Sequence, residues 1–269
     1  MAEALLVLRT YPGLLRAAVA QTLAYRAQLV IWVIGGIFPL VLLTVWLSVA
    51  DEQGATAGWT RADFISYYVA VTVVFQIVNT HVVWPWDRDL RSGDLSFRLL
   101  RPLPPVHHYI ADDVGHRLVT ATGLVPLFVI AAVWFDAVRY PVGPGTAALA
   151  LLAVLAGYGL AVAMALAFAM IAFWSTQVGN LYMLWWGGGA FLSGLIAPVS
   201  LLPEPLRSLA VFSPFRSTLD FPVQLAMGRL SGAETLLGFA VTAVWLLVFV
   251  ILHRLLWRHG VVHYQAVGG

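Results

Sequence analysis

Apolar runs of about twenty residues recur along this chain, and their length constrains its fold more than any other feature. Twenty residues is what an α-helix needs to cross ~30 Å of hydrocarbon. Clean runs cover Ala27 to Ser48, Phe64 to about Val83, Leu118 to Phe135, Thr146 to Trp174 and Leu236 to Leu256. A further run starts near Leu181 and breaks up at Gly194 and Pro198. These runs are far longer than barrel strands and lack their alternation. The reading is an all-α polytopic membrane protein with six transmembrane helices. Mean hydropathy of +0.86 agrees with it.

The ends and connections fill in the layout. Residues 1–26 are interrupted by Arg9, Pro12, Gly13 and Arg16, yet Leu8, Leu15, Val19 and Leu23 share one helix face. Such a segment is an amphipathic helix for the headgroup layer rather than a span. Residues 27–256 form the six-helix domain and 257–269 a tail. Within the domain, 85–113 is a polar loop and 202–229 is too polar and proline-rich to span. "LSVADEQ" imitates a signal-peptidase site, but the run before it is too long for a signal, so the span is uncleaved. With the N-terminus in the cytoplasm, Arg9, Arg16, Arg26, Arg88, Arg91, Arg98, Arg101, Arg117, Arg254 and Arg258 fall inside. Arg61, Arg139, Arg207, Arg216 and Arg229 fall outside, the bias expected of a membrane protein with both termini cytoplasmic.

Two absences narrow the chemistry. There is no cysteine, so disulfides and thiolate metal sites are excluded. There is no lysine either, so the phosphate-binding loop G-x-x-x-x-G-K-[ST] cannot be present. No acidic or basic residue sits at the centre of a predicted span, which argues against a proton- or sodium-coupled carrier and against a channel with a charged ring.

Against this background "DRDLRSGDLSFRLLRPLPP", Asp87 to Pro105, is an island of four arginines and three aspartates. Residues Pro85 to Leu95 make a short helix with Asp87 and Asp89 at its positive end. Gly93 is placed to stop it, and "RPLPP" forces the chain out of helix. Leu95, Phe97, Leu99 and Leu100 offer an apolar surface beside forked arginine donors. That combination suits docking in a cleft of another protein; a solvated loop that only fixes topology is the plainer alternative.

"SGDLSFRLLRPLPP" resembles the G-x-L-x-x-x-L-x-R-P signature that follows the second span in bacterial type-2 ABC exporter permeases. "LLPEPLRSLAVFSPF" resembles the stretch before the last span of that class. The resemblance implies a mechanism. The loop would be a coupling helix gripped by a separate ATPase subunit, with contacts among Arg88, Asp89, Arg91, Asp94, Leu95, Arg98 and Leu100. It also implies two ATPase subunits that carry the ATP and magnesium, no cofactor on this chain, and a second permease, identical or more often different. The N-terminal helix would be a second contact, and the 202–229 segment an outer cap.

The substrate path is fainter. Thr72, Gln76 and Asn79 share a face of the second span, with His81 near its end. Gln177 and Asn180 start the fifth. In the class, spans two and five line the path, and its neutral, aromatic character suits an amphipathic, lipid-like, drug-like or peptide substrate. Interhelical hydrogen bonding alone is the plainer account. Tryptophans 32, 59, 84, 86, 134, 174 and 257 fall near predicted span ends, where indoles favour the interface. Trp185 and Trp186 precede a glycine run suited to close packing. A competing function is a membrane-embedded, metal-dependent hydrolase built on His107, His108 and His116, although adjacent histidines point to different helix faces. A non-catalytic assembly protein is the third possibility.

Overall fold

The structure is a computed structural model that describes residues 2–24, 34–53, 58–134, 140 and 143–264. Arg26, Trp32 and Arg139 lie outside the described residues. Twelve α-helices are found among the described residues, and no strand. They are α1 (Ala2–Ala24), α2 (Phe38–Gln53), α3 (Arg61–Val78), α4 (Val83–Ser92), α5 (Leu95–Leu99) and α6 (Val106–Trp134). Then follow α7 (Pro144–Met170), α8 (Val178–Leu192), α9 (Glu204–Phe212), α10 (Pro214–Thr218), α11 (Asp220–Ala226) and α12 (Gly232–His263). The stretches Ile34–Glu52, Arg61–Ser92, Pro144–Phe173 and Gly232–Val262 are long and apolar enough to cross a membrane.

The long helices start where the sequence supplies caps. Thr60 and Asp63 form a capping box ahead of α3, and Ser231 and Glu234 form one ahead of α12. Arg229 joins these two starts, pairing with Asp63 at 2.7 Å and lying 4.0 Å above the Trp59 ring. α2 runs antiparallel to α3, with Trp46 stacked on Phe64 at one level and Arg61 paired with Asp51 beyond it. α7 and α12 run parallel. Phe221 joins Ala150 of α7 to Phe239 of α12 near their starts, and Phe173 meets Trp257 at their ends.

α1 is not left lying alone. It packs lengthwise and parallel on the first half of α6, where the Tyr11 hydroxyl reaches His107 Nδ1 at 3.2 Å. One turn and more along, a Cβ at Gly115 would fall 2.5 Å from the Ala18 Cβ, so only glycine permits this approach.

Several boundaries differ from the sequence reading, for physical reasons. The second span stops at Val78, and residues 79–82 break it before the island helix, which starts at Val83 rather than Pro85. Asp87 and Asp89 therefore lie mid-helix, not at its N-terminus. The third span's helix begins twelve residues early, at Val106, because nothing after Pro105 opposes helix. α8 has only 15 residues, ~22 Å of helix. The irregular backbone after it is buried against α2 and α3. Tyr67 donates to the Gly194 carbonyl at 2.8 Å, and Tyr68 and Trp46 donate to that of Ile196 at 2.7 and 2.8 Å. Non-helical backbone at membrane depth is tolerated only when its carbonyls are met this way.

The stretch "SPFRSTLDFP", within the segment too polar and proline-rich to span, forms α10 and the start of α11, and most of it is buried. α9 before it exposes Leu206, Leu209 and Phe212. Trp59 and Trp86 are also core residues, 3 % and 0 % exposed, rather than interfacial anchors. Each found a partner inside: Trp59 donates to Ser200 Oγ, and Trp86 packs on Tyr109, Phe173 and Trp257.

Candidate functional site

The island folds as a bent pair of short helices with two unlike faces. Gly93 closes α4 with φ of +83°, a conformation that favours glycine, and α5 turns back from it. The inner face carries Trp86, Asp89 and Leu95, all buried. Asp89 accepts from the Tyr109 hydroxyl at 2.8 Å and pairs with Arg98 at 2.9 Å. The Arg98 guanidinium also lies 4.5 Å from the centre of the Tyr109 ring. Burial first, and then the Asp89 carboxylate, push the Tyr109 hydroxyl up, so it stays a donor. Ser96 meets the Tyr264 hydroxyl at 3.1 Å, which ties α5 to the end of α12.

The outer face is uncommitted. The Arg88 side chain is 73 % exposed, Leu100 84 % and Phe97 69 %. Among the described residues Arg91 pairs only with Asp87 one turn back, at 3.0 Å, and Asp94 is exposed and accepts from Ser92. Of the seven residues expected to meet a partner, Arg88, Arg91, Asp94 and Leu100 are therefore on the outside. Asp89, Leu95 and largely Arg98 hold the pair of helices to the body.

What joins this pair to α3 is a buried ion pair that the sequence reading passed over. Breaking a helix at Val78 leaves carbonyls without partners. Arg117 of α6 donates to the carbonyls of Gln76, at 2.9 Å, and Asn79, and reaches His81 Nδ1 at 2.9 Å. Asp113, one turn earlier, pairs with Arg117 at 3.3 Å and accepts from the His81 backbone N–H at 3.0 Å. Tyr158 of α7 donates to the same carboxylate at 2.9 Å. The break is thus stitched to both α6 and α7. The visible signal was an Asp and an Arg four apart on one helix face.

The expected path residues divide. Thr72 bonds back to its own helix, its hydroxyl donating to the Tyr68 carbonyl at 2.7 Å. Gln76 is buried with its Nε2 unpartnered among the described residues, pressed against Gly36, two residues before α2. Asn79 lines a small crevice of about 70 Å³ with Phe75, Tyr182, Trp185 and Trp186, between α3 and α8. Gln177 and Asn180 bond each other at 3.2 Å on the surface and do not line it. His81 faces the other way, into a cavity of about 520 Å³ between α1, α4 and α6.

The histidines do not converge. His107 turns to Tyr11, while His108 is buried, and burial together with Arg101 and Arg98 holds its ring below the usual histidine range. His116 lies beside His81, ring centres 6.0 Å apart. Among the described residues, no three of His, Asp and Glu come together as a metal site.

Comparison with curated proteins and with solved structures returned no match. A family model does match, described as an ABC-2 family transporter protein, and it covers residues 31–268. That stretch takes in every helix from α2 to α12 and leaves out α1. The chain therefore belongs to the ABC-2 transporter family, as a membrane component.

Proposed function

We propose that this chain is the permease subunit of an ATP-driven exporter, and that the outer face of α4 and α5 is where a separate ATPase subunit grips it. The observation that carries the reading is the division of the island. Its inner side is fixed to α6, α7 and α12 by Trp86, Asp89 and Leu95, while Phe97 and Leu100 are exposed and Arg88 and Arg91 face outward, paired only with aspartates of α4 among the described residues. A lever needs both a rigid root and an open handle. Forked arginine donors beside exposed apolar side chains suit a cleft that offers carboxylates and an apolar floor. Two ATPase subunits holding ATP and magnesium, and a second permease, complete the assembly, in the cytoplasmic membrane with both termini inside.

The crevice between α3 and α8 is the candidate path, narrow in this state and lined by aromatic rings and Asn79. It suits an amphipathic substrate. Competing use of the histidines for hydrolysis has no support in their geometry, since His107, His108 and His116 have separate surroundings.

The test is an Arg88→Glu/Arg91→Glu double variant, purified natively in mild detergent beside the unaltered protein. The expected result is an ATPase subunit that accompanies the unaltered chain and is lost, or hydrolyses ATP without transport, with the variant. If the unaltered protein brings no ATPase with it, the proposal fails.

A further inference from the structure

The larger cavity, about 520 Å³, lies between α1, the start of α4, α5 and α6, and it shares Arg88 with the face proposed for the ATPase. That volume is in the range of small-ligand sites, ~300–1,000 Å³. Its wall contains Gln21 and Thr22 from α1, Trp84 and Arg88 from α4, and Asp112 from α6. Two further ion pairs border it and are already closed. Asp89 is taken by Arg98 and Tyr109, and Asp113 by Arg117, Tyr158 and the His81 N–H.

Among the described residues of the wall, Arg88 and Asp112 are exposed charges outside those pairs, and Asp112 also feels the charge of Arg98. Arg88 reaches only the already satisfied Asp89, at 3.6 Å. Asp112 has no ion pair or hydrogen bond among the described residues. The two stand on different helices of one cavity wall, beside a half-exposed tryptophan, where the apolar length of α3 gives way to the charged α4. Indoles favour that boundary layer of a bilayer.

We infer that this cavity binds a zwitterionic phosphate–amine headgroup, its phosphate on Arg88 and its ammonium on Asp112, as presented by a phosphatidylethanolamine-type lipid. A guanidinium fork matches phosphate oxygens in two-point geometry, and a carboxylate on the same cavity wall selects against purely anionic lipids. Gln21 and Thr22 supply further neutral polar groups, so the N-terminal helix closes one side of the site. The inference needs only the membrane setting; it shares Arg88 with the proposed coupling face, and Asp112, which that face does not use, is the residue that separates the two.

The test reads binding without ATP. The full-length chain, with whatever subunits accompany it, is exchanged into detergent containing equal phosphatidylethanolamine and phosphatidylglycerol, and retained lipid is counted by native mass spectrometry. The unaltered protein is expected to prefer the ethanolamine lipid by about fivefold, an exposed ion pair's worth of selectivity. Asp112→Asn should bring that ratio to about one while keeping the glycerol lipid, and Arg88→Gln should lose both. Equal retention by the unaltered protein, or a ratio unchanged in Asp112→Asn, overturns the assignment. Competition then identifies the source. Displacement by soluble phosphoethanolamine supports a free headgroup as ligand, and resistance to a large excess supports the intact lipid. Equal displacement by glycine would overturn the phosphate arm. Because ATPase co-purification is scored separately, failure of this site and failure of the coupling reading are distinguishable.

Discussion

Two buried ion pairs sit at opposite ends of α3, each an Asp and an Arg four residues apart, and they are built inside out from one another. At the α4 end Arg117 is the hub, and what it gathers are acceptors: the carbonyls of Gln76 and Asn79, His81 and Asp113. At the Thr60 end the hub is Asp220, fully buried, and what it gathers are donors. Arg216 reaches it at 3.0 Å, Tyr67 at 3.1 Å, the Val199 N–H at 3.2 Å and Gln224 at 3.2 Å. The difference follows from which helix end is exposed at each place. A helix C-terminus leaves bare carbonyls and calls for a cation; helix starts leave bare N–H groups and call for an anion. Asp220 itself opens α11, and Val199 opens the short 3-10 turn after Pro198. At Val78 the broken helix is thus repaired by a charge of the sign that its bare carbonyls demand, whereas Asp220 gathers one helix-start N–H, that of Val199, together with side-chain donors.

Substitutions at four positions sharpen or break this comparison. Asp220→Ala should be the most damaging, because it strands Arg216 and the Val199 and Gln224 donors in the interior, while Tyr67 keeps the Gly194 carbonyl. A loss of about 3–5 kcal/mol is expected, seen as a collapse of the unfolding midpoint in detergent. Asp220→Asn, which keeps an acceptor oxygen, should recover part of it. Arg117→Ala comes next, at about 2–4 kcal/mol, since Asp113 retains Tyr158 and the His81 N–H. Equal damage from the two alanine variants would show that hub identity does not matter. Gly115→Leu drives a side chain into Ala18 and should cost about 1–3 kcal/mol, with α1 released to limited proteolysis before the remainder of the chain. Arg91→Gln, outside both hubs, should shift the midpoint by no more than about 0.5 kcal/mol while reducing ATP-coupled transport. A large stability loss there would mean that the outer face is structural.

The membrane architecture was legible because span length is a direct physical requirement, and so was the stop at Gly93, where the residue type itself carries the backbone conformation. Arg88, Arg91 and Leu100 were readable as a free face for the same reason: nothing in their local pattern demands burial. Asp89 and Leu95 misled, because a short helix does not say which side will meet the bundle until Tyr109 and Trp257 are placed. The α3 break at Asn79 was invisible, as no proline or glycine marks it; it exists because Arg117, far along the chain, satisfies the carbonyls it leaves. Asp220 was hidden for a similar reason. A polar, proline-rich stretch looks like surface, and only its donors from α3 and the turn after α8 make it core.

The most direct test of the coupling face uses the absence of cysteine from the chain. Leu100→Cys is then a unique thiol at the most exposed apolar point of the island, and a photoreactive label on it reports what lies against that face. In native membranes the account predicts an adduct with an ATPase subunit, changed in yield by ATP, and none with that subunit from Leu184→Cys on the exposed side of α8. An unlabelled ATPase, or an adduct only with a second permease, would contradict it.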